Sequence, residues 1–325
     1  MRIVIQRVKR ASVSVEEKVV GSIQKGFLVL IGVGQGDDEA TADKYMKKAL
    51  RMEDLLDMDS LYEKVKDIVE WKNITVKGYG HEPVDADEIM DWLKKYGSEV
   101  APYITDVSEY LYQAAAEGRN IMFEAQLGAL RDIDFGIYPY TSSSTTLASF
   151  APIGAGVPGL TLTGTLGIMK AYSTCVGEGP FTVEMSGDEA EALRKAGGEY
   201  GAATGRPRRV GAFDIPASKY GVRVQGATEI ALTKLDVLSY MDKIPVCTAY
   251  EIDGIKTTAF PTGQRLLRAK PVIEYLPGFG DVSKCRTYEE LPQAAKDYIA
   301  YIEKAVACKI TYVSVGAGRD EYIKL

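Results

Sequence analysis

Gly26-Phe27-Leu28-Val29-Leu30-Ile31 contains no polar side chain, and this run restricts the architecture more than any other. A strand that is apolar on both faces needs cover on both, as in a sheet flanked by helices. Glycines follow at 32, 34 and 36, and Asp37 to Leu50 has helical spacing, so strand, tight turn and helix succeed one another. Arg2–Val8 and Ser12–Val20 alternate apolar and polar residues as half-buried strands do, around a turn at Glu16-Glu17-Lys18. Leu61–Trp71 and Asp85–Tyr96 have the spacing of surface helices. Asp106 with Glu109 forms a capping-box pattern ahead of a helix that Gly118 would close, and Ser186 with Glu189 repeats it with Gly197 as the stop. Asn120–Phe123 reads as a strand that delivers Glu124 at its C-terminal end. Leu291–Val306 is a long amphipathic helix, followed by a strand at Ile310–Val313 and a turn from Ser314 to Arg319. The pattern is mixed α/β, without internal repeats.

A chain of 325 residues can bury a large core and is expected to form two domains. Its net charge of −6 argues against nonspecific binding to nucleic acid or a membrane surface, while leaving room for a local basic site. No apolar stretch has the length of a membrane helix and the N-terminus lacks a signal-peptide pattern, so a cytoplasmic location is expected. Cys175, Cys247, Cys285 and Cys308 are widely spaced with no C-x-x-C pair, and read as reduced thiols, neither a disulfide framework nor a zinc site.

Thr233-Lys234-Leu235-Asp236 follows the apolar stretch Ile230-Ala231-Leu232. An Asp carboxylate can accept two hydrogen bonds at once, and guanine offers two adjacent N–H donors where adenine does not. A Lys two residues earlier can lay its methylene stem along the base. The other reading is a strand end with no ligand. Gly201–Arg209, GAATGRPRR, sets Arg206, Arg208 and Arg209 beside glycines and fits an anion site; a solvated basic turn is the alternative. The glycines at 32, 34 and 36 match neither the dinucleotide nor the phosphate-loop fingerprint, since no Lys-Ser or Lys-Thr follows them, and read as a tight turn. Ser314 and the amide of Gly316 can bond a purine carbonyl, or simply belong to a terminal loop. Glu124 suits a site at a strand end, or a plain surface carboxylate.

These segments occur with others in a fixed order: Asn120–Glu124, Asp132-Ile133-Asp134-Phe135-Gly136-Ile137-Tyr138-Pro139-Tyr140, Lys170–Thr174, Val176–Phe181, the arginine run, Leu232–Leu238 and Leu291–Ala295. From about Ala49 onward the chain resembles adenylosuccinate synthetase. The resemblance implies a largely parallel central sheet flanked by helices, related to phosphate-loop proteins, with a small β-rich N-terminal segment. It implies GTP-dependent ligation of IMP and L-aspartate in purine nucleotide synthesis, with Mg²⁺ required and a homodimer expected. Carried over, Lys234, Asp236, Ser314 and Gly316 match guanine recognition; Ser142, Val176 and Arg206 match IMP contacts. Thr204, Arg206 and Arg208 match the grip on aspartate, and Glu124 the carboxylate supporting a catalytic His. Leu127 stands where a Gln is usual, Ala203 where a Thr is, and Cys175 where an Arg is common.

The family's phosphate loop, with its catalytic Asp and metal ligand, and its catalytic His precede the matched part; none has a counterpart here, and the one histidine, His81, matches no catalytic position. Met1 to about Lys48 resembles instead the start of a D-aminoacyl-tRNA deacylase, without that family's Ser-Gln-Phe-Thr and Gly-Pro blocks. The expectation is two partial families, 1–48 and 49–325, joined near residues 47–51. A truncated sheet leaves an edge and apolar faces uncovered, so marginal stability and self-association are expected. Three functions follow: a ligase with little turnover of its own, a deacylase acting on tRNA, or a non-catalytic guanine-nucleotide binder.

Overall fold

A computed structural model describes residues 42–325 apart from 126, 202–204 and 262, and, within 1–41, the backbone of four strands. The chain divides into two compact units, Gly32–Gly118 with the two N-terminal residues, and Ile3–Ile31 with Arg119–Leu325. The glycine turn after Gly32 and the start of the helix expected from Asp37 lie outside the described residues. Of that helix, residues 42–50 are described: 42–45 form a single helical turn, and 46–50 are turn and irregular chain, so the helix does not reach the expected Leu50. Lys47 stands at φ 60°, which an α-helix cannot continue through.

The first unit is helical, with helices Met58–Gly78, Ala86–Val100 and Val107–Ala116. Each begins on an aspartate whose side chain takes up an otherwise unpaired amide: Asp57 accepts from Ser60, Asp85 from Asp87, and Asp106 from Glu109. Gly118, at φ 71°, provides the left-handed exit expected of it. Leu61, Val65 and Val69 recur every four residues and pack on Met90 and Leu93. Each buried side chain of this kind contributes roughly 1.5–3 kcal/mol. The first helix runs beyond the expected Trp71 because the apolar stripe marks only its packed part; backbone bonding continues to Gly78.

The second unit has a mixed α/β architecture. Its main sheet has the order Tyr322–Lys324, Ile310–Ser314, Glu229–Thr233, Leu166–Lys170, with the last three strands mutually parallel. Another sheet sets Arg2–Val8, Gly26–Gly32 and Asn120–Glu124 side by side, and the apolar run pairs parallel with the strand of Glu124, Gly26 opposite Asn120 and Leu30 opposite Glu124. Ala11–Val15 and Lys18–Ile23 form the expected antiparallel hairpin. The long strand Lys243–Ile252 carries antiparallel neighbours Ile255–Thr257 and Lys270–Pro277.

The core joins Ile230, Leu232, Ile310 and Val313 of the main sheet to Leu193 of helix Gly187–Gly197 and to Tyr298, Ile299, Ile302 and Val306 of helix Gln293–Val306. The last helix begins two residues after the expected Leu291, because Pro292 holds an extended conformation at its entry. The capping pattern at Ser186 is not realised: its side chain makes no cap bond, and helix Gly187–Gly197 ends on Gly198 at φ 60°. No helix among the described residues is long and apolar enough to cross a membrane.

Helix Ile215–Gln225 is capped by Asp214, which accepts from the Ala217 amide at 3.0 Å and from the Tyr250 hydroxyl at 2.7 and 2.6 Å. Burial pushes the Asp214 carboxyl up to about 6 from 3.8, against the pull of Tyr250. The folded chain thus holds a proton that the unfolded chain releases between those values, and this group's contribution to stability falls as pH rises through them. Tyr250→Phe removes the hydroxyl donor. It should destabilise the protein by about 1–3 kcal/mol in urea unfolding, and more at about pH 7.5, where the carboxylate is charged, than at about pH 5. An equal loss at both pH values would show that Asp214 does not titrate in this range.

Candidate functional site

The parallel strands Glu229–Thr233 and Ile310–Ser314 end side by side, and ligands of α/β sheets gather beyond such ends. Beyond them the chain turns at Lys234, a non-glycine residue at φ 61°. The turn is fixed by Ser314, whose hydroxyl accepts from the Lys234 amide at 3.2 Å and whose carbonyl accepts from Leu235 at 3.1 Å. The same hydroxyl donates to the Gly316 carbonyl at 3.2 Å. Lys234, Asp236, Ser314 and Gly316, far apart in sequence, therefore meet. A Cβ at Gly316 would fall 2.3 Å from Glu321 Oε2, and one at Gly318 2.8 Å from it, so a larger residue at either position would displace the Glu321 carboxylate from its bond to the Gly318 amide.

Asp236 opens the short 3₁₀ turn Asp236–Tyr240. Its Oδ1 is buried with no hydrogen-bond partner among the described residues. Burial pushes this carboxyl up; its own backbone amide, the Lys234 charge and the Val237 amide pull it down, and Glu321 pushes it up, so the unpaired site is Oδ1 alone and not the whole carboxylate. A buried acceptor left unpaired costs about 1–3 kcal/mol. A ligand N–H would relieve that cost.

The centre of the neighbouring charge cluster is Glu199, which the sequence reading did not single out. It is fully buried. Its carboxylate accepts from Tyr172 at 2.5 Å, Lys170 at 2.9 and 3.1 Å and Arg208 at 2.9 Å, and faces Lys234 Nζ at 3.2 Å. Burial alone would raise the Glu199 carboxyl, but these partners, the Tyr172 hydroxyl first and then Lys170, hold it down at about 2. The available signal was a carboxylate directly after a helix stop, Gly197-Gly198, and two positions before the arginine run.

The arginines of that run divide. The loop closes on itself through Gly201 to Arg206 at 2.9 Å and Gly205 to Gly201 at 2.7 Å, with Gly205 at φ 62°. Arg206 is exposed, and Thr204 lies outside the described residues. Arg208 is paired with Glu199. Arg209, expected as a third anion ligand, is instead a structural tie. It pairs with Glu184 at 2.8 and 2.5 Å, donates to the carbonyl of Gly179 at 2.8 Å and lies over the Phe181 ring at 5.5 Å. It stands in the short strand Arg209–Gly211, which places it beside these groups.

Ser142 and Val176 come together through Arg131. The Arg131 carbonyl accepts from the Ser142 amide at 2.8 Å, and its guanidinium donates to the Val176 carbonyl at 2.7 Å, to Cys175 Sγ at 2.9 Å and to the Tyr140 carbonyl. The segment between is organised by the buried Asp132, which accepts from the amides of Asp134, Phe135 and Thr146. Val176 itself is exposed. Glu124 ends its strand exposed, and its side chain makes no hydrogen bond or ion pair among the described residues. Leu127, three residues on, is exposed at φ 80°. His81 lies in the helical unit, outside these groupings. Among the described residues no three His, Cys, Asp or Glu side chains converge as a metal site would need, so Mg²⁺ is assigned to none of them.

The model of the family Adenylosuccinate synthetase matches residues 19–323. The match begins well ahead of Ala49 and takes in the strand Gly26–Gly32, within the stretch likened to a deacylase; the comparisons give no support to a deacylase. Adenylosuccinate synthetase of Halothermothrix orenii is 43% identical over 294 residues, covering 90% of this chain and 69% of the relative. That of Clostridium novyi is 41% identical over 292 residues, covering 89% and 68%. The fully ligated adenylosuccinate synthetase of Plasmodium falciparum superposes with a TM-score of 0.82 at 30% identity, over 90% of this chain and 69% of that one. The chain thus spans a little over two thirds of these proteins. With the sheet, the turn at Lys234 and the arginine loop all falling inside the matched region, the chain belongs to the adenylosuccinate synthetase family.

Proposed function

We propose that this chain carries the base-reading and acceptor-holding surfaces for GTP-dependent ligation of IMP and L-aspartate, the purine-biosynthetic reaction of its family. The observation that carries the reading is the buried, partnerless Oδ1 of Asp236 beside Lys234 and Ser314. In this reading Asp236 accepts the two adjacent N–H groups of guanine, and the Lys234 stem lies along the base, its ammonium held by the Gly197 carbonyl at 2.5 Å. The Gly316 amide donates to the purine carbonyl, as does the Ser314 hydroxyl once it turns from the Gly316 carbonyl. Arg206, Arg208 and Thr204 hold the aspartate carboxylates, where paired guanidinium donors suit paired oxygens. Ser142, the backbone of Val176 and Arg206 contact IMP, and Glu124 orients the family's catalytic imidazole.

Mg²⁺ would neutralise charge on the transferring phosphoryl group, and no residue of this chain is assigned to hold it. The phosphate-loop, general-base and imidazole roles are likewise assigned to none. Recognition is therefore the proposal, and turnover of GTP, IMP and aspartate is a separate assay. The family's homodimer is proposed here too, and sedimentation addresses it.

Thermal unfolding with GDP, with ADP as control, tests the base site. At about a hundred times its dissociation constant GDP should add roughly 2.7 kcal/mol of stability. ADP should add little, and Asp236→Asn should abolish the GDP response. An equal response to both nucleotides would remove Asp236 from base selection. The IMP side is tested through Arg131, which ties Ser142 to Val176. Arg131→Gln should weaken IMP binding by calorimetry about tenfold, equivalent to about 1.4 kcal/mol, while leaving the GDP response intact. Unchanged IMP affinity would separate these loops from the substrate.

A further inference from the structure

A single carboxylate serves cations from three parts of the chain, and its two oxygens are divided between them. Glu199 Oε1 meets Lys234 at 3.2 Å, Tyr172 at 2.5 Å and Lys170 at 2.9 Å. Oε2 meets Arg208 at 2.9 Å and Lys170 at 3.1 Å. Lys234 belongs to the proposed base site and Arg208 to the proposed aspartate loop, while Lys170 spans both oxygens from the end of its strand. The backbone repeats the connection: the Arg208 amide donates to the Glu199 carbonyl at 2.9 Å, and Lys234 Nζ to the Gly197 carbonyl at 2.5 Å.

Glu199 is fully buried, so it cannot swing into water when one partner is drawn away. A carboxylate is planar and rigid, and displacement at one oxygen moves the other. The cost of stranding a buried charge, several kcal/mol, opposes any arrangement in which Lys234 and Arg208 shift independently. We propose that Glu199 is a positioning residue through which an occupied base site fixes the arginine loop. The inference rests on the reading of Lys234 and Arg208 given above. Glu199 itself touches no substrate in this scheme; it converts a base bound against Lys234 into a set orientation of Arg208. The coupling is reciprocal, as any linkage between two binding sites must be.

Hydrogen exchange of the full chain, read by mass spectrometry over residues 205–209, tests it. Saturating GDP should slow exchange there by about fivefold or more in the unaltered protein, the low end of measured couplings between sites. In Glu199→Gln, GDP should still stabilise the chain while the slowing falls below about twofold, within the scatter of uncoupled sites. Lys170→Met keeps the carboxylate and both site partners, and should retain the slowing; a merely structural cluster would lose it in both variants. A ligand-free cycle runs beside this. Lys234→Met should speed exchange at 205–209 in the unaltered background and add nothing in Glu199→Gln.

Equal slowing by GDP with and without Glu199, or slowing in neither, overturns the coupling and leaves the base site standing. Absence of GDP binding removes the base-site reading, and the ligand-free cycle then decides alone: additive effects of the two substitutions overturn the inference. Should Glu199→Gln fail to fold, Glu199→Asp replaces it. That carboxylate is one methylene short of spanning both partners, and the same results are expected of it.

Discussion

Much of the second unit's site region depends on holding Glu199 ionised out of contact with water. Withdrawing a carboxylate from solvent costs several kcal/mol, and a buried ion pair repays this only with good geometry and further hydrogen bonds. Here a tyrosine hydroxyl and three cations supply them. The carboxyl is held at about 2, below its ordinary 4.5, so its contribution is complete above the ordinary value and is lost as pH falls toward the lower one. At neutral pH three cations face one anion. The surplus positive charge stays beside loops proposed to hold two dicarboxylate oxygen pairs and a nucleotide, while the net charge of the chain is −6.

Register in the main sheet places these groups. Thr233 pairs with Lys170, and Leu232 with Val313, so Lys234 leaves the end of its strand beside Ser314, the last residue of the neighbouring strand, with Lys170 on the other side of Thr233. Parallel strands lie about 4.8 Å apart, which is the reach of one carboxylate or one hydroxyl between them. A slip of one residue in the Glu229–Thr233 strand would turn Ile230 and Leu232 out of the core, so burial of these two side chains also fixes where the lysine and serine stand. Packing thus sets the position of the polar groups, and the polar groups close the turn.

Elements with strong local signals were legible in the sequence. The stripe Leu61, Val65, Val69, the Asp106 cap, the Gly118 exit and the strand leading to Glu124 all depend on residues within a few positions of each other. The candidate base residues were legible as two separate clusters, and only the parallel pairing of their strands, some 80 residues apart in the chain, joins them. Glu199 and Arg131 were not singled out, because their significance is entirely in long-range partners: Lys170 and Lys234 for one, the Val176 carbonyl for the other. Arg209 shows the converse error. Composition marks it as an anion ligand, whereas Glu184, 25 positions away, neutralises it. The failed cap at Ser186 belongs here too, since a capping pattern states which side chain is able to bond and not which one does.

Selectivity in the proposed base site comes from the cost of an unmade bond more than from attraction. Asp236 Oδ1 is already removed from water, and burial has pushed the carboxyl up. A purine that presents two donors relieves a cost already present in the fold. One that presents an acceptor at the same edge leaves the oxygen unpaired and adds a repulsion. Sites built around such a group discriminate far more strongly than apolar pockets of matching shape, because the wrong ligand strands a buried polar atom. The lysine beside it cannot easily compensate by moving to Asp236. Its ammonium is bound to the Gly197 carbonyl and faces Glu199, and leaving them would strand a second buried acceptor. The two carboxylates therefore act as a pair: Glu199 keeps Lys234 occupied, and Asp236 is left in need of a donor.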